Sequence, residues 1–156
     1  MVKRFIHFQK GFTLVEVLVA TGLLVIVLAG LVGLFVYCSL LSELSGDMTM
    51  VMSELQGKWE EIRNHDYDLI VSDYSSGGTP GNTFDLTQVN AQGVIYMDAT
   101  NPDLLVVKIV ASWQTRNDRI MGEDQNLNGV LDAGEDQNGN GEIDSSTSIE
   151  SMITKR

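Results

Sequence analysis

The stretch Lys10–Phe35, KGFTLVEVLVATGLLVIVLAGLVGLF, decides how the rest of the chain is read. From Phe12 to Val36 the sequence is apolar over 25 residues, and Glu16 is its only formal charge. About 20 such residues suffice to cross a hydrocarbon layer, so the run predicts a membrane span. It is longer than the roughly 7–15-residue apolar core of a cleaved secretory signal, which favours a retained span despite the small residues Ala20-Thr21-Gly22. Lys3, Arg4 and Lys10 all precede the run, and no other basic residue occurs before Lys58. The positive-inside rule therefore places Met1 in the cytoplasm and the chain beyond the span outside it. An ionised group within a span costs about 2.5–3.5 kcal/mol on insertion scales, so Glu16 needs a partner there.

Beyond the span, Leu40, Leu41, Leu44, Met48, Val51, Met52, Leu55, Trp59 and Ile62 recur at steps that make one helical stripe. No proline separates span from stripe, so one helix from about Phe12 to about Asn64 is expected. At 1.5 Å per residue it would extend roughly 80 Å. Ser72–Asn82, SDYSSGGTPGN, reads as a loop from its Gly, Ser and Pro content. Strands are expected at Thr83–Val89, Gly93–Asp98, Leu104–Trp113 and Thr147–Thr154, the third being richest in β-branched residues. The economical fold is α+β: one long N-terminal helix packed on a small antiparallel sheet, with Trp59 and Trp113 in the core between them.

The 156 residues carry a net charge of −11, with no basic cluster beyond the first ten residues, which argues against nucleic acid as a partner. Cys38, the single cysteine, can form no internal disulfide and is expected as a small buried hydrophobe. The histidines are His7 and His65, the latter expected to satisfy carbonyls at the helix end. No Ser/His/Asp set, zinc spacing or phosphate-binding glycine loop is present, so no catalytic residue is expected and the chain does not read as an enzyme.

Between the last two strands lies an acidic tandem, two twelve-residue units at Asp124–Glu135 and Asp136–Thr147. The first fits the calcium-loop pattern D-x-[DN]-x-[DN]-G-x5-E through Asp124, Asn126, Asn128, Gly129 and Glu135. Calcium takes six to eight hard oxygen ligands, and alternate residues of a tight loop can aim theirs inward. Val130 would offer its main-chain oxygen, Asp132 would ligate through water, and Glu135 would close the set with two oxygens. Leu131 sits where such loops tuck an apolar side chain into the fold. The second unit offers Asp136, Asn138, Asn140, Glu142 and Asp144, but ends at Thr147 where a glutamate would close the loop. That ion is expected to be weaker or completed by another carboxylate. The expected cofactor is therefore Ca2+, bound in loops at 123–147 without flanking helices.

The string KGFTLVEVLVA closely resembles the signal of type IV prepilins and type II secretion pseudopilins. The resemblance is strong over residues 1–36 and architectural beyond. It implies a leader, 1–11, that prepilin peptidase removes by cutting after Gly11 and then methylating Phe12. It further implies a filament-core half of the helix at 12–38, an amphipathic half at 39–66 and a small β domain at 67–156. Glu16 becomes an assembly residue that pairs with the Phe12 amine of a neighbouring subunit. The implied partners are other pilin or pseudopilin subunits, the peptidase and the inner membrane. The implied life history is single-pass insertion followed by a periplasmic or cell-surface filament. VASW, Val110–Trp113, followed by a hairpin and a last strand, is similar to the minor-pilin pattern. The residues leave open pilus or secretion filament. They also leave open a membrane-anchored calcium-binding module outside any filament.

Overall fold

The computed structural model describes residues 11–155; the expected leader, with Lys3, Arg4, His7 and Lys10, lies outside the described residues but for Gly11. The chain divides into two compact units, Met1–Ser42 and Glu43–Arg156. Helix α1, Leu14–Arg63, begins in the first and continues into the second. Thr13 starts it as an N-cap: its Oγ1 accepts the Glu16 N–H at 3.2 Å, and its carbonyl accepts from the Val17 N–H. With Glu16 three residues on, Thr13–Glu16 has the spacing of a capping box, and a carboxylate in the first turn is favoured by the helix dipole. Within the first unit every described side chain is exposed, Phe12 at 82% and Phe35 at 74% among them. Cys38 is likewise exposed, in contrast to the buried position expected from its apolar surroundings in sequence.

In the second unit α1 packs through Val51, Leu55 and Ile62 on a five-stranded antiparallel sheet. This is the α+β, pilin-like arrangement the sequence predicts. The apolar stripe is fully covered only at these three positions, while Met48 stays exposed. The strands are β1 (Thr83–Asp85), β2 (Ala91–Asn101), β3 (Leu104–Gln114), β4 (Ile120–Met121) and β5 (Ser148–Thr154). Helix α2, Tyr67–Asp73, was not legible because its seven residues are too few to show a period. Its signal was Asp66, whose side chain caps it by accepting from the Asp68 N–H. The Tyr74 hydroxyl donates to Glu61 at 2.9 Å, tying α2 back to α1, and burial together with Glu61 pushes the phenol up to about 12. The His65 ring pairs with Asp73 at 2.8 Å, so it holds α2 and does not cap the α1 carbonyls as expected. Glu54 of α1 accepts from the Thr87 and Gln88 N–H groups and pins the β1–β2 connection.

Strand β3 is central. Its odd-numbered residues, Leu105, Val107, Ile109, Ala111 and Trp113, join the α1 core, and Trp113 is 1% exposed. Its even-numbered Val110 packs with Val94 and Ile143 in a second cluster on the opposite face. Covering both faces explains why the strand reads as a nearly continuous apolar run instead of an alternating one. One edge of β3 pairs with β2; the other pairs first with β4 and then with β5. Met121 lies opposite Trp113 and Ser148 opposite Val110. Between them, the Thr147 carbonyl accepts from the Ala111 N–H, and a Cβ on Gly122 would fall 2.2 Å from Ser112 Oγ. Gly122 and Thr147 thus occupy successive places on one edge, and β4 and β5 form a single strand interrupted by Glu123–Ser146.

Deleting Glu123–Ser146 should therefore leave Gly122 joined to Thr147 in register, with β content and cooperative unfolding retained. Loss of the buried Ile143 should lower stability by about 2–5 kcal/mol. Circular dichroism and thermal melts measure both, and a non-cooperative product would contradict the interrupted-strand arrangement.

Candidate functional site

The looped-out segment is a repeat whose structural frame begins one residue earlier than the calcium-loop pattern suggests. Glu123–Gly134 and Glu135–Ser146 each open with the string EDQN. Each then presents Asn, Gly, an apolar residue and Asp at matching places, and the two fold alike. Asp124 accepts from the Asn128 and Gly129 N–H groups, and Asp136 accepts from those of Gly139 and Gly141. The side-chain oxygen of Asn126 accepts from the Asn128 N–H, and that of Asn138 from the Asn140 N–H. The next pair repeats this: Asn128 accepts from Val130, and Asn140 from Glu142. The amides of Asn126 and Asn128 converge on one oxygen of Asp132, and those of Asn138 and Asn140 on one oxygen of Asp144. Hydrogen bonds from Asn126 and then Asn128 lower the Asp132 pKa. Leu131 is half-buried and Ile143 buried against the sheet, the latter also donating its N–H to the Tyr96 hydroxyl at 2.8 Å. Leu131 packs with Val94, Val110 and Ile143 on that face.

Glu135 closes the first loop by accepting from the Gln125 N–H at 2.8 Å and the Asp132 N–H at 2.9 Å. Thr147 does not do this for the second. Its side chain is fully buried with an unpaired hydroxyl, and its main chain belongs to the β3 edge. Glu123 takes that place, accepting from the Gln137 N–H at 3.1 Å and the Asp144 N–H at 3.0 Å. The repeated EDQN string carried this signal, since it shows that the glutamate belongs at the head of each unit.

The electrostatics set the tandem apart from the rest of the surface. Glu123 is 7% exposed, Asp124 0% and Glu135 6%. Among the described residues no Lys, Arg or His nitrogen lies within 4.0 Å of these three carboxylates. The one cation at the tandem is Lys108 of β3, whose Nζ meets Glu142 at 2.8 Å and Asp144 at 2.9 Å. Hydrogen bonds to Glu142 and Asp144 raise the lysine pKa against the effect of burial, and the same contact lowers that of Asp144. Burying a carboxylate without a compensating charge is costly, so the tandem's negative charge calls for a cation.

The donor set suits a hard cation. Each carboxylate oxygen has two lone pairs, so the single N–H on each oxygen of Asp124 and Glu135 leaves room for a further bond, whereas the Asp132 and Asp144 oxygens that take two amides are filled. Among the described residues no three Asp, Glu, His or Cys side chains converge on one point. The loop oxygens are those of carboxylates and asparagine side chains, hard donors of the class that calcium takes. Asp124, Asn126, Asn128, Asp132 and Glu135 are brought into one hydrogen-bonded loop, as are Asp136, Asn138, Asn140 and Asp144. Val130 and Glu142 join the loops through their main-chain N–H groups, which donate to Asn128 and Asn140.

At the other end of the chain, Gly11, Phe12 and Thr13 precede the helix in non-helical, exposed backbone, and Glu16 is exposed in the first turn of α1. The helix is long and apolar enough to cross a membrane. Residues 6–32 match the family model of the prokaryotic N-terminal methylation motif, which is the signal of type IV pilins and pseudopilins. That motif implies processing by prepilin peptidase and association with other pilins, and it points to a structural subunit and not to an enzyme. No curated protein and no solved structure matches the chain.

Gly129 and Gly141 hold equivalent places with φ of 74° and 79°, yet only at Gly129 would a Cβ meet a neighbour, Thr83 Cγ2 at 2.7 Å. Gly141→Ala should carry only backbone strain, about 1–3 kcal/mol, and Gly129→Ala should cost more. Denaturant melts of the two variants test the order.

Proposed function

We propose that the chain is a structural subunit, a minor pilin or pseudopilin, of a type IV pilus or type II secretion filament. The match of residues 6–32 to the N-terminal methylation motif carries this reading. In it, prepilin peptidase cuts after Gly11 and methylates Phe12. The exposed, non-helical backbone at Gly11–Thr13 supports access to that bond, since extended exposed segments are where chains are cleaved. The subunit waits in the inner membrane with its N-terminal end cytoplasmic, and enters the filament with its sheet domain outside.

Cleavage creates an amine at Phe12, a positive charge on an otherwise apolar stem. Glu16 of an adjacent subunit is the complementary charge. Either alone among packed stems carries a desolvation penalty; paired, they offset part of it and fix the axial register between helices. The helix dipole also favours a carboxylate at Glu16 within its own chain. Filament neighbours or lipid must cover a stem whose described side chains are all exposed.

The acidic tandem is read as a calcium-stabilised hairpin at the end of the sheet domain. Asp124, Asn126, Asn128, Val130, Asp132 and Glu135 hold one ion. Bound calcium supplies the positive charge that the buried carboxylates lack. A repelling, acidic tip favours a minor subunit over a closely repeated major one.

Intact mass spectrometry from a host with the peptidase should give a chain beginning at Phe12 with one added methyl group, and an uncut chain refutes the reading. In the same host, Glu16→Gln should insert in the membrane yet fail to enter filaments. Normal incorporation would remove Glu16 from the assembly contact, and a wild type absent from filaments would leave the membrane-anchored module as the better description.

Calcium at about a hundred times its dissociation constant should stabilise the sheet domain by about 2.7 kcal/mol per site. A melting temperature indifferent to both calcium and chelator would remove the metal from the account.

A further inference from the structure

We propose that the free edge of β5 receives an extended segment of a partner protein, paired antiparallel, with a Lys or Arg opposite Glu150 and an apolar residue opposite Met152. Strand β5 pairs with β3 on one side only, and its other side ends the sheet. The Ala111 N–H donates to the Thr147 carbonyl, and the Lys155 N–H to that of Asp103. Hydrogen-bonded pairs recur at every second residue of an antiparallel ladder, so the odd-numbered residues of β5 direct their main-chain groups to β3. Those of Ser148, Glu150, Met152 and Thr154 point outward, where no hydrogen bond among the described residues takes them up. All four residues are exposed, Met152 at 63%.

Edge strands are commonly blunted by proline, lysine, a bulge or a covering loop. Ser148–Thr154 contains no proline and no lysine, and its register with β3 is unbroken. The covering loop stops short of it. The tandem shields the edge at Gly122, whose carbonyl accepts from the Gln125 side chain at 3.0 Å, and returns to β3 at Thr147.

Two features of the open strip select its occupant. Glu150 stands opposite Lys108, but that ammonium is held by Glu142 and Asp144. Three carboxylates thus share one cation on this face, and no Lys, Arg or His nitrogen among the described residues lies within 4.0 Å of Glu150. A residue placed directly across an added strand has its Cβ about 4.5–5.5 Å from that of Glu150, within easy reach of a basic side chain. The net charge of −11 also favours the approach of such a segment. The second feature is a cleft of about 590 Å3 against Met152, Ile153 and Thr154, lined also by His65, Tyr67 and Ile70. An added strand sends alternate side chains to opposite faces, so the one beside Ile153 meets the cleft while its neighbours meet Met152 and Glu150. A second copy of this chain fits less well. Its own Ser148–Thr154 holds no basic residue to answer Glu150, and Lys155 is held by Asp68.

The test uses the full chain in detergent and the capped peptide Thr-Ile-Leu-Thr-Lys-Ile-Thr, which sets Leu opposite Met152 and Lys opposite Glu150. Titration followed by amide NMR should give saturable shifts centred on Ser148–Thr154. The same peptide with Glu in place of Lys should bind about tenfold more weakly, and Glu150→Lys should reverse that order. Met152→Pro removes one outward N–H and leaves the β3 ladder whole, so it should unfold cooperatively like the wild type yet bind at least about tenfold more weakly. Should Met152→Pro not fold, the charge reversal at Glu150 decides. Absent saturation, shifts away from β5, or equal affinity for the two peptides in wild type and Glu150→Lys overturns the proposal. So does sedimentation in which the free chain self-associates through an edge that Glu150→Lys disrupts, an outcome that gives the edge to a second copy.

Discussion

Strand β3 is apolar on both faces, and the sheet domain is organised by the need to cover it twice. Helix α1 covers the odd-numbered face through Val51, Leu55 and Ile62. The even-numbered face receives Ile143 and Leu131 from the tandem. The second side of the strand carries Val110, which gains stability from apolar contact, and Lys108, which gains it from a counter-charge. The tandem supplies both, with Ile143 beside Val110 and Glu142 and Asp144 on Lys108. An insertion that began as an interruption of an edge strand is therefore part of the core.

The same segment reconciles two demands that usually conflict. Buried carboxylates need positive charge, while a tight loop needs its own backbone donors satisfied. Asp124, Glu135 and Glu123 meet the second demand by accepting main-chain N–H groups, which aims their remaining lone pairs in fixed directions. The chain's own cations do little for the first. Lys108 is the one that reaches the tandem among the described residues, and it reaches the exposed-side pair Glu142 and Asp144.

The long helix, the strand at Leu104–Gln114 and the last strand were legible because each presents a sustained period or a dense β-branched run. Helix α2 and strand β4 were not: seven and two residues are too short for any period to emerge. The repeated loop spacing was legible, and each repeat forms a loop closed by its own hydrogen bonds. The closing partner of the second loop was missed because the pattern looks forward along the chain, to Thr147, whereas the residue that fills the place lies upstream. Cys38 was misplaced for a different reason, since apolar neighbours in sequence say nothing about burial in a stem that the single chain leaves bare. His65 was read from its place at a helix end, and a carboxylate eight residues later outcompeted the carbonyls.

The crossing of the two glutamates sets a minimum size for this insertion. A lone twelve-residue unit would have a head with no loop to close and a loop with no head to close it. Units must arrive or leave at least as a couple, and because the strand ends meet in register at Gly122 and Thr147, such a couple can be exchanged without resetting the sheet. Ancestry by internal duplication, followed by acquisition or loss of the whole doublet, is the history this geometry permits.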